Sequence, residues 1–216
     1  MAETAASPTP AKTPVDKDLA VRTSPAGVLR DAFAAGSLAG TVEISELPFL
    51  TMVGIRAAAG SDAAQRIAAV TGGLPARSGN VAGNGDTSVL WLGPSEFLVV
   101  APTEAHESLG GSLIPALREA LGTGAGQVVD LSANRTTFEL VGPRARGVLE
   151  KGCSLDLHPR VFKTGTAFST EIANIPAILW KTGEESFRIF PRASFAEFLG
   201  RWLLDAMREY ASPEVP

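Results

Sequence analysis

The sequence predicts an α+β fold of two pseudo-repeated lobes, each an antiparallel sheet with helices packed on one face. Three observations lead there. Short β-branched and aromatic runs recur in pairs around Gly, Pro and Glu turns. Each pair runs on into a helical segment. The spacing also recurs: Trp91 to Pro102 and Trp180 to Pro191 both span eleven positions, and Phe97–Pro102 and Phe138–Pro143 both span five. A strand pair that hands over to a helix opened by Pro is the unit of such a layered fold.

Taken in order, residues 1–24 are rich in Ala, Thr, Pro and Ser and too poor in apolar surface to offset the cost of ordering, so they read as a disordered tail. The run 24–35 reads as a helix with Ser24 at its N-cap and Pro25 at its first position. "TVEISELPFLTMVGIRA" is two strands around Glu46–Pro48. "SDAAQRIAAVTGG" is a helix capped by Ser61 and stopped by Gly72. "AGNGD" reads as a turn, and "SVLWLGPSEFLVVAP" as two strands around Gly93–Glu96. A helical region over 103–122 breaks at Gly110–Gly111 or at Pro115.

The second half repeats this order. "VVDLSANRTTFELVG" is two strands with a turn at Ala133–Arg135, and "PRARGVLEKG" is a short helix from Pro143 to Gly152. Residues 165–191 supply three strands. The last helix carries Phe195, Phe198, Leu199, Trp202, Leu203 and Met207 at helical spacing on one face. The expected globular part, 25–216, therefore divides into lobes of about 25–122 and 123–216.

Bulk chemistry excludes several classes. Hydrophobic residues make up 45% of the 216, and the net charge is −4, the opposite of the basic footprint that binding phosphate backbones requires. A lone Cys153 allows no internal disulfide and fits a reducing compartment. The N-terminal run lacks the apolar core of a signal peptide, and no apolar run reaches membrane-spanning length. The expectation is a cytoplasmic protein with no nucleic-acid and no membrane partner. Two histidines at 106 and 158, one Cys, no Gly-x-Gly-x-x-Gly after a strand and no phosphate loop leave no metal or dinucleotide motif.

The chemistry-bearing side chains concentrate between Asp130 and Pro159. Cys153, Asp156 and His158 lie within six positions of one another, but a Cys at a helix C-terminus faces the wrong end of the dipole for a thiolate. His158, held extended by Pro159, reads as structural. No catalytic residue is assigned. Asp130 and Ser132 share the face opposite Leu131, with Asn134 and Arg135 at the turn. A carboxylate–guanidinium pair fixing the hairpin and a polar cluster facing a ligand or partner both fit. With Arg144 and Arg146, these four form a candidate interface or structural cluster, suited to a partner's carboxylates.

The run "VVDLSANRTTFELVGPRARGVLEKGCSLDLHPRVFKTGTA", with "WLGPSEFLVVAP" before it and "LWKTGEESFRIFPRASFAEFLGRWLLDAM" after it, closely resembles the gamma subunit of heterotetrameric sarcosine oxidase, from about Pro25 to the C-terminus. It is similar, more widely, to the glycine cleavage T protein (aminomethyltransferase) group. That group's Asp-x-Ser and Gly-Pro-x-Ala pattern falls on Asp130, Ser132, Gly142, Pro143 and Ala145, with Arg144 where the group often has Asp. The resemblance implies a T-protein-like fold and a small architectural subunit with alpha, beta and delta partners. The complex it implies demethylates sarcosine using FAD, FMN, NAD and tetrahydrofolate held by the other subunits, with no cofactor on this chain. A free-standing folate-binding protein of the aminomethyltransferase type, or an adaptor of a related N-methyl amine oxidase, is the alternative.

Overall fold

The computed structural model describes residues 22–211. The expected disordered tail lies outside them except for Arg22, Thr23 and Ser24. The strands described form one ten-stranded sheet: β1 (Glu43–Glu46), β2 (Thr51–Ala57), β3 (Gly79–Asn84), β4 (Thr87–Gly93), β5 (Glu96–Ala101), β6 (Gly126–Asp130), β7 (Phe138–Val141), β8 (Thr166–Ile172), β9 (Ile175–Lys181) and β10 (Ser186–Pro191). Their order is β1-β7-β10-β9-β8-β3-β4-β5-β2-β6, and every pairing is antiparallel. Helices α1 (Arg30–Gly36), α2 (Asp62–Thr71), α3 (Leu113–Leu121), α4 (Ala145–Glu150) and α5 (Ala196–Ala211) cover it.

The two halves of the sheet join only at β3 and β8, through Gly79↔Ala167 and Asn80↔Thr166. Alternation along each strand then sends side chains into three cores. Val53, Ile55, Phe97 and Val99 pack with Ile67 of α2 and Ile114 and Leu117 of α3. Phe138, Leu140, Leu179, Phe187 and Ile189 pack with α1, α4 and α5. The intervening residues Met52, Leu90, Leu98 and Val100 meet Ala167, Ile178 and Phe190. Each half-sheet therefore buries one face under helices and the other against its counterpart. This is why "FLVVA" of β5 is apolar at successive positions rather than alternating.

Local signals act as expected where they are strong. The Ser61 hydroxyl accepts from the Ala64 amide at 3.1 Å, and Gly72 closes α2 in the left-handed region at φ 81°. The 103–122 region breaks at Gly110–Gly111, into two 3-10 turns (Thr103–Ala105 and Glu107–Leu109) and α3, with Pro115 accommodated in the first turn of α3.

Other expectations change. Ser24 caps no helix: its hydroxyl donates to Glu46 Oε2 at 2.6 Å, and α1 begins only at Arg30. "AGNGD" is partly strand, because Ala82–Asn84 belong to β3 and the turn is Gly85–Asp86. The strands flanking Ala133–Arg135 form no hairpin: β6 ends one edge of the sheet, β7 lies beside the other edge, and 131–137 crosses between them. A cut at 122/123 also fails to separate the halves. β6 follows the cut yet pairs with β2, and β1 precedes it yet pairs with β7. On α5, Leu199, Leu203 and Met207 are fully buried, each worth about 1.5–3 kcal/mol. Phe198 is 56% exposed, because the buried stripe centres on Leu203 and Phe198 falls to one side of it, and Phe195, 36% exposed, precedes the helix in the 3-10 turn Ala193–Phe195.

Candidate functional site

The crossover after β6 brings one part of the expected polar cluster to a cavity of about 420 Å³, lined by Asp130, Ser132, Arg135, His106, Arg22 and Phe49 among others. Strand β6 delivers Asp130 at its last residue. The next turn is tied down by backbone bonds, from Leu131 N to Met52 O at 2.8 Å and from Asn134 N to Leu131 O at 2.8 Å. Ser132 closes on the neighbouring strand, its hydroxyl accepting from Met52 N at 3.1 Å.

Asp130 is held at both oxygens. Its Oδ1 accepts from Ser132 N at 2.9 Å, and its Oδ2 meets His106 Nε2 at 2.9 Å. The tautomer follows from the other side of the ring. The Ser108 amide, which can only donate, lies 3.1 Å from His106 Nδ1, so Nδ1 accepts and Nε2 carries the proton given to Asp130. Partial burial pushes the Asp130 carboxyl upward, but hydrogen bonds from Ser132 and His106 outweigh it and hold it below its ordinary 3.8.

Arg135 does not pair with Asp130. Its Nη1 donates to the Phe190 carbonyl at 2.8 Å, and the residue bridges antiparallel to Arg192. Burial first, and the Arg192 charge second, push its guanidinium below the ordinary arginine value. Arg22 stacks over Phe49 at 5.7 Å and donates to Ser108 Oγ at 3.3 Å. Phe49 takes a left-handed φ of 61°, strained for a residue with a side chain.

The rest of the expected cluster is dispersed. Asn134 is exposed and bonds through its backbone, its carbonyl accepting from Ala193 N at 2.9 Å. Arg144 lies over the Tyr210 ring at 5.6 Å, and Arg146 pairs with Glu150 at 2.7 Å; both belong to the α4 segment. In the "GCSLDLHPR" run, Asp156 accepts from the His158 amide and His158 Nδ1 from the Arg160 amide, so the side chains hold a turn and do not act on Cys153. Among the described residues, no group of three or more His, Cys, Asp or Glu is placed to hold a metal ion, and no helix is long and apolar enough to cross a membrane.

Two residues of this region carried no signal in the sequence reading. His106 sits between two 3-10 turns, 24 positions from Asp130, and nothing in its neighbourhood points to that partner. Glu46 collects Ser24, the Ala26 amide and Thr136, which come from separate stretches of chain.

The chain as a whole is similar to known proteins. Residues 56–209 match the family described as sarcosine oxidase, gamma subunit family. Sarcosine oxidase subunit gamma of Corynebacterium sp. (strain P-1) is 52% identical over 197 residues, covering 90% of this chain and 94% of the relative. The Arthrobacter sp. protein of the same name is 50% identical over the same shares. Among solved structures, a chain of the heterotetrameric sarcosine oxidase from Corynebacterium sp. U-96, in complex with pyrrole 2-carboxylate, superposes with a TM-score of 0.84 at 48% identity. That match covers 91% of this chain and 100% of the other. The glycine cleavage system aminomethyltransferase T from Bartonella henselae has a TM-score of 0.59 at 16% identity, over 83% of this chain and 49% of that one, a likeness of fold alone.

Proposed function

This chain belongs to the sarcosine oxidase gamma subunit family, and from that premise we propose that it is the small, non-catalytic subunit of a heterotetrameric oxidase, assembled with alpha, beta and delta chains in the cytoplasm. The assembly converts sarcosine, tetrahydrofolate and oxygen to glycine, methylene-tetrahydrofolate and hydrogen peroxide, with FAD, FMN, NAD and tetrahydrofolate held by the other subunits. One observation carries this reading: the likeness to a chain of a solved heterotetrameric assembly extends over the whole of that chain. A protein that keeps a subunit's full length and fold keeps the framework on which the subunit assembles. Asp130, Ser132, Asn134, Arg135, Arg144 and Arg146 serve structure and interface in this reading, in two separate places rather than one.

The two halves read as copies of one unit, β2-α2-β3-β4-β5-α3-β6 beside β7-α4-β8-β9-β10-α5, with β1 taking the place in the second that β6 takes in the first. The sheet order, the same from either end, supports it.

Purification of the tagged chain from its native host tests the proposal. Three co-eluting chains and a yellow flavin spectrum are expected. A colourless lone chain overturns it, and saturable binding of tetrahydrofolate to that chain would establish the aminomethyltransferase-like alternative.

A further inference from the structure

The cavity beneath the 131–137 crossover is lined by charges of both signs that do not neutralise one another. On the anionic side stands Asp130. Its two hydrogen bonds come from a backbone amide and from a His106 whose Nδ1 is already an acceptor, so its donors orient the carboxylate without cancelling its charge. Each carboxylate oxygen offers two lone pairs, so one on each is uncommitted. On the cationic side stand Arg135 and Arg22. Arg135 commits one of five N–H donors, to Phe190 O. Its cross-strand neighbour is another arginine, Arg192, and like charges directly opposite are unfavourable unless something anionic joins them. Among the described residues, no salt bridge joins Arg22, Arg135 or Arg192 to any carboxylate, Asp130 included. Arg135 is half-buried while Arg22, Arg192 and Asp130 are exposed, so the cost of an unpaired charge falls on Arg135, and the volume of about 420 Å³ falls within the range of small-molecule sites. Phe49 and Pro25 supply an apolar wall, and Phe49 does so from a strained backbone conformation.

We propose that this cavity binds a small amino-acid zwitterion, its carboxylate on the Arg135 and Arg22 guanidiniums and its ammonium on Asp130. A simple carboxylate would leave Asp130 facing it with like charge, and a simple amine would do the same to the arginines. A ligand carrying both charges satisfies both sides, with Phe49 and Pro25 against its carbon skeleton. The proposal does not rest on the subunit reading, since it concerns only groups within this chain, and its test has no oxidase readout.

Glycine, acetate and methylammonium are titrated into the purified full-length chain and followed by saturation-transfer NMR, with a cooperative melt recorded for every variant. Glycine is expected to saturate and to bind at least about tenfold more tightly than either half-molecule, the size of one lost charge-assisted contact. Asp130→Asn, which keeps the Ser132 bond, should lose that preference and bind acetate as well as glycine. Arg135→Gln should lose glycine by at least about tenfold. Arg22→Gln, which leaves the Phe190 carbonyl contact untouched, should weaken glycine severalfold, so the test survives if Arg135 proves needed for folding. No saturable glycine signal on the folded wild-type chain overturns the proposal. So does equal affinity for glycine and acetate, which would make the cavity an anion site only.

Discussion

The two edge strands of the sheet, β1 and β6, each end in a carboxylate, and the two carboxylates are used differently. Glu46, closing β1, accepts the Ser24 hydroxyl at 2.6 Å, the Ala26 amide at 3.1 Å and the Thr136 hydroxyl. It pins the segment before α1 and the end of the crossover to one strand. Asp130, closing β6, accepts from one backbone amide and one imidazole and lines a cavity. A carboxylate that gathers donors from separate segments is spent on structure, whereas one held by two local donors is positioned yet still available.

The comparison breaks most visibly if Glu46 is removed. Glu46→Ala leaves three donors without their acceptor and should cost about 2–4 kcal/mol, read from urea midpoints. Asp130→Ala should cost only about 1 kcal/mol in the same assay, because Ser132 retains its bonds to Met52. A near-equal loss for the two variants would erase the distinction. A pH series sharpens it. Since the folded state holds the Asp130 carboxyl below its ordinary 3.8, its contribution is fully present above that value and fades as pH falls through the lower folded value. Stability curves for wild type and Asp130→Asn should therefore converge in acid. The smallest effect is expected away from both strands. Arg146→Ala removes an exposed i,i+4 pair with Glu150 and should change stability by no more than about 0.5 kcal/mol in the same unfolding measurement.

Much of this was legible in the chain, residue by residue. Ser61 and Gly72 bracket α2, Gly93–Glu96 turns β4 into β5, and Leu199, Leu203 and Met207 mark the buried stripe of α5. What failed lacked a signal in the nearby sequence. Strand β3, "GNVAGN", is largely exposed and carries little apolar alternation to read. The polar cluster around Asp130 was half legible: Asp130, Ser132 and Arg135 share a cavity, but Arg144 and Arg146 lie with α4 and pair there. His106 was passed over because its partner arrives from another edge of the fold.

By itself, then, the sequence determined which stretches are strands and helices and where most of them stop, because backbone preference, capping and side-chain period depend on neighbours a few residues away. Only the tertiary structure decided that β6 and β7, adjacent in the chain, lie near opposite edges of one sheet, and that Asp130 answers to His106 and not to Arg135. Strand partners are chosen by which faces can be buried together, and that choice is made between segments far apart in sequence.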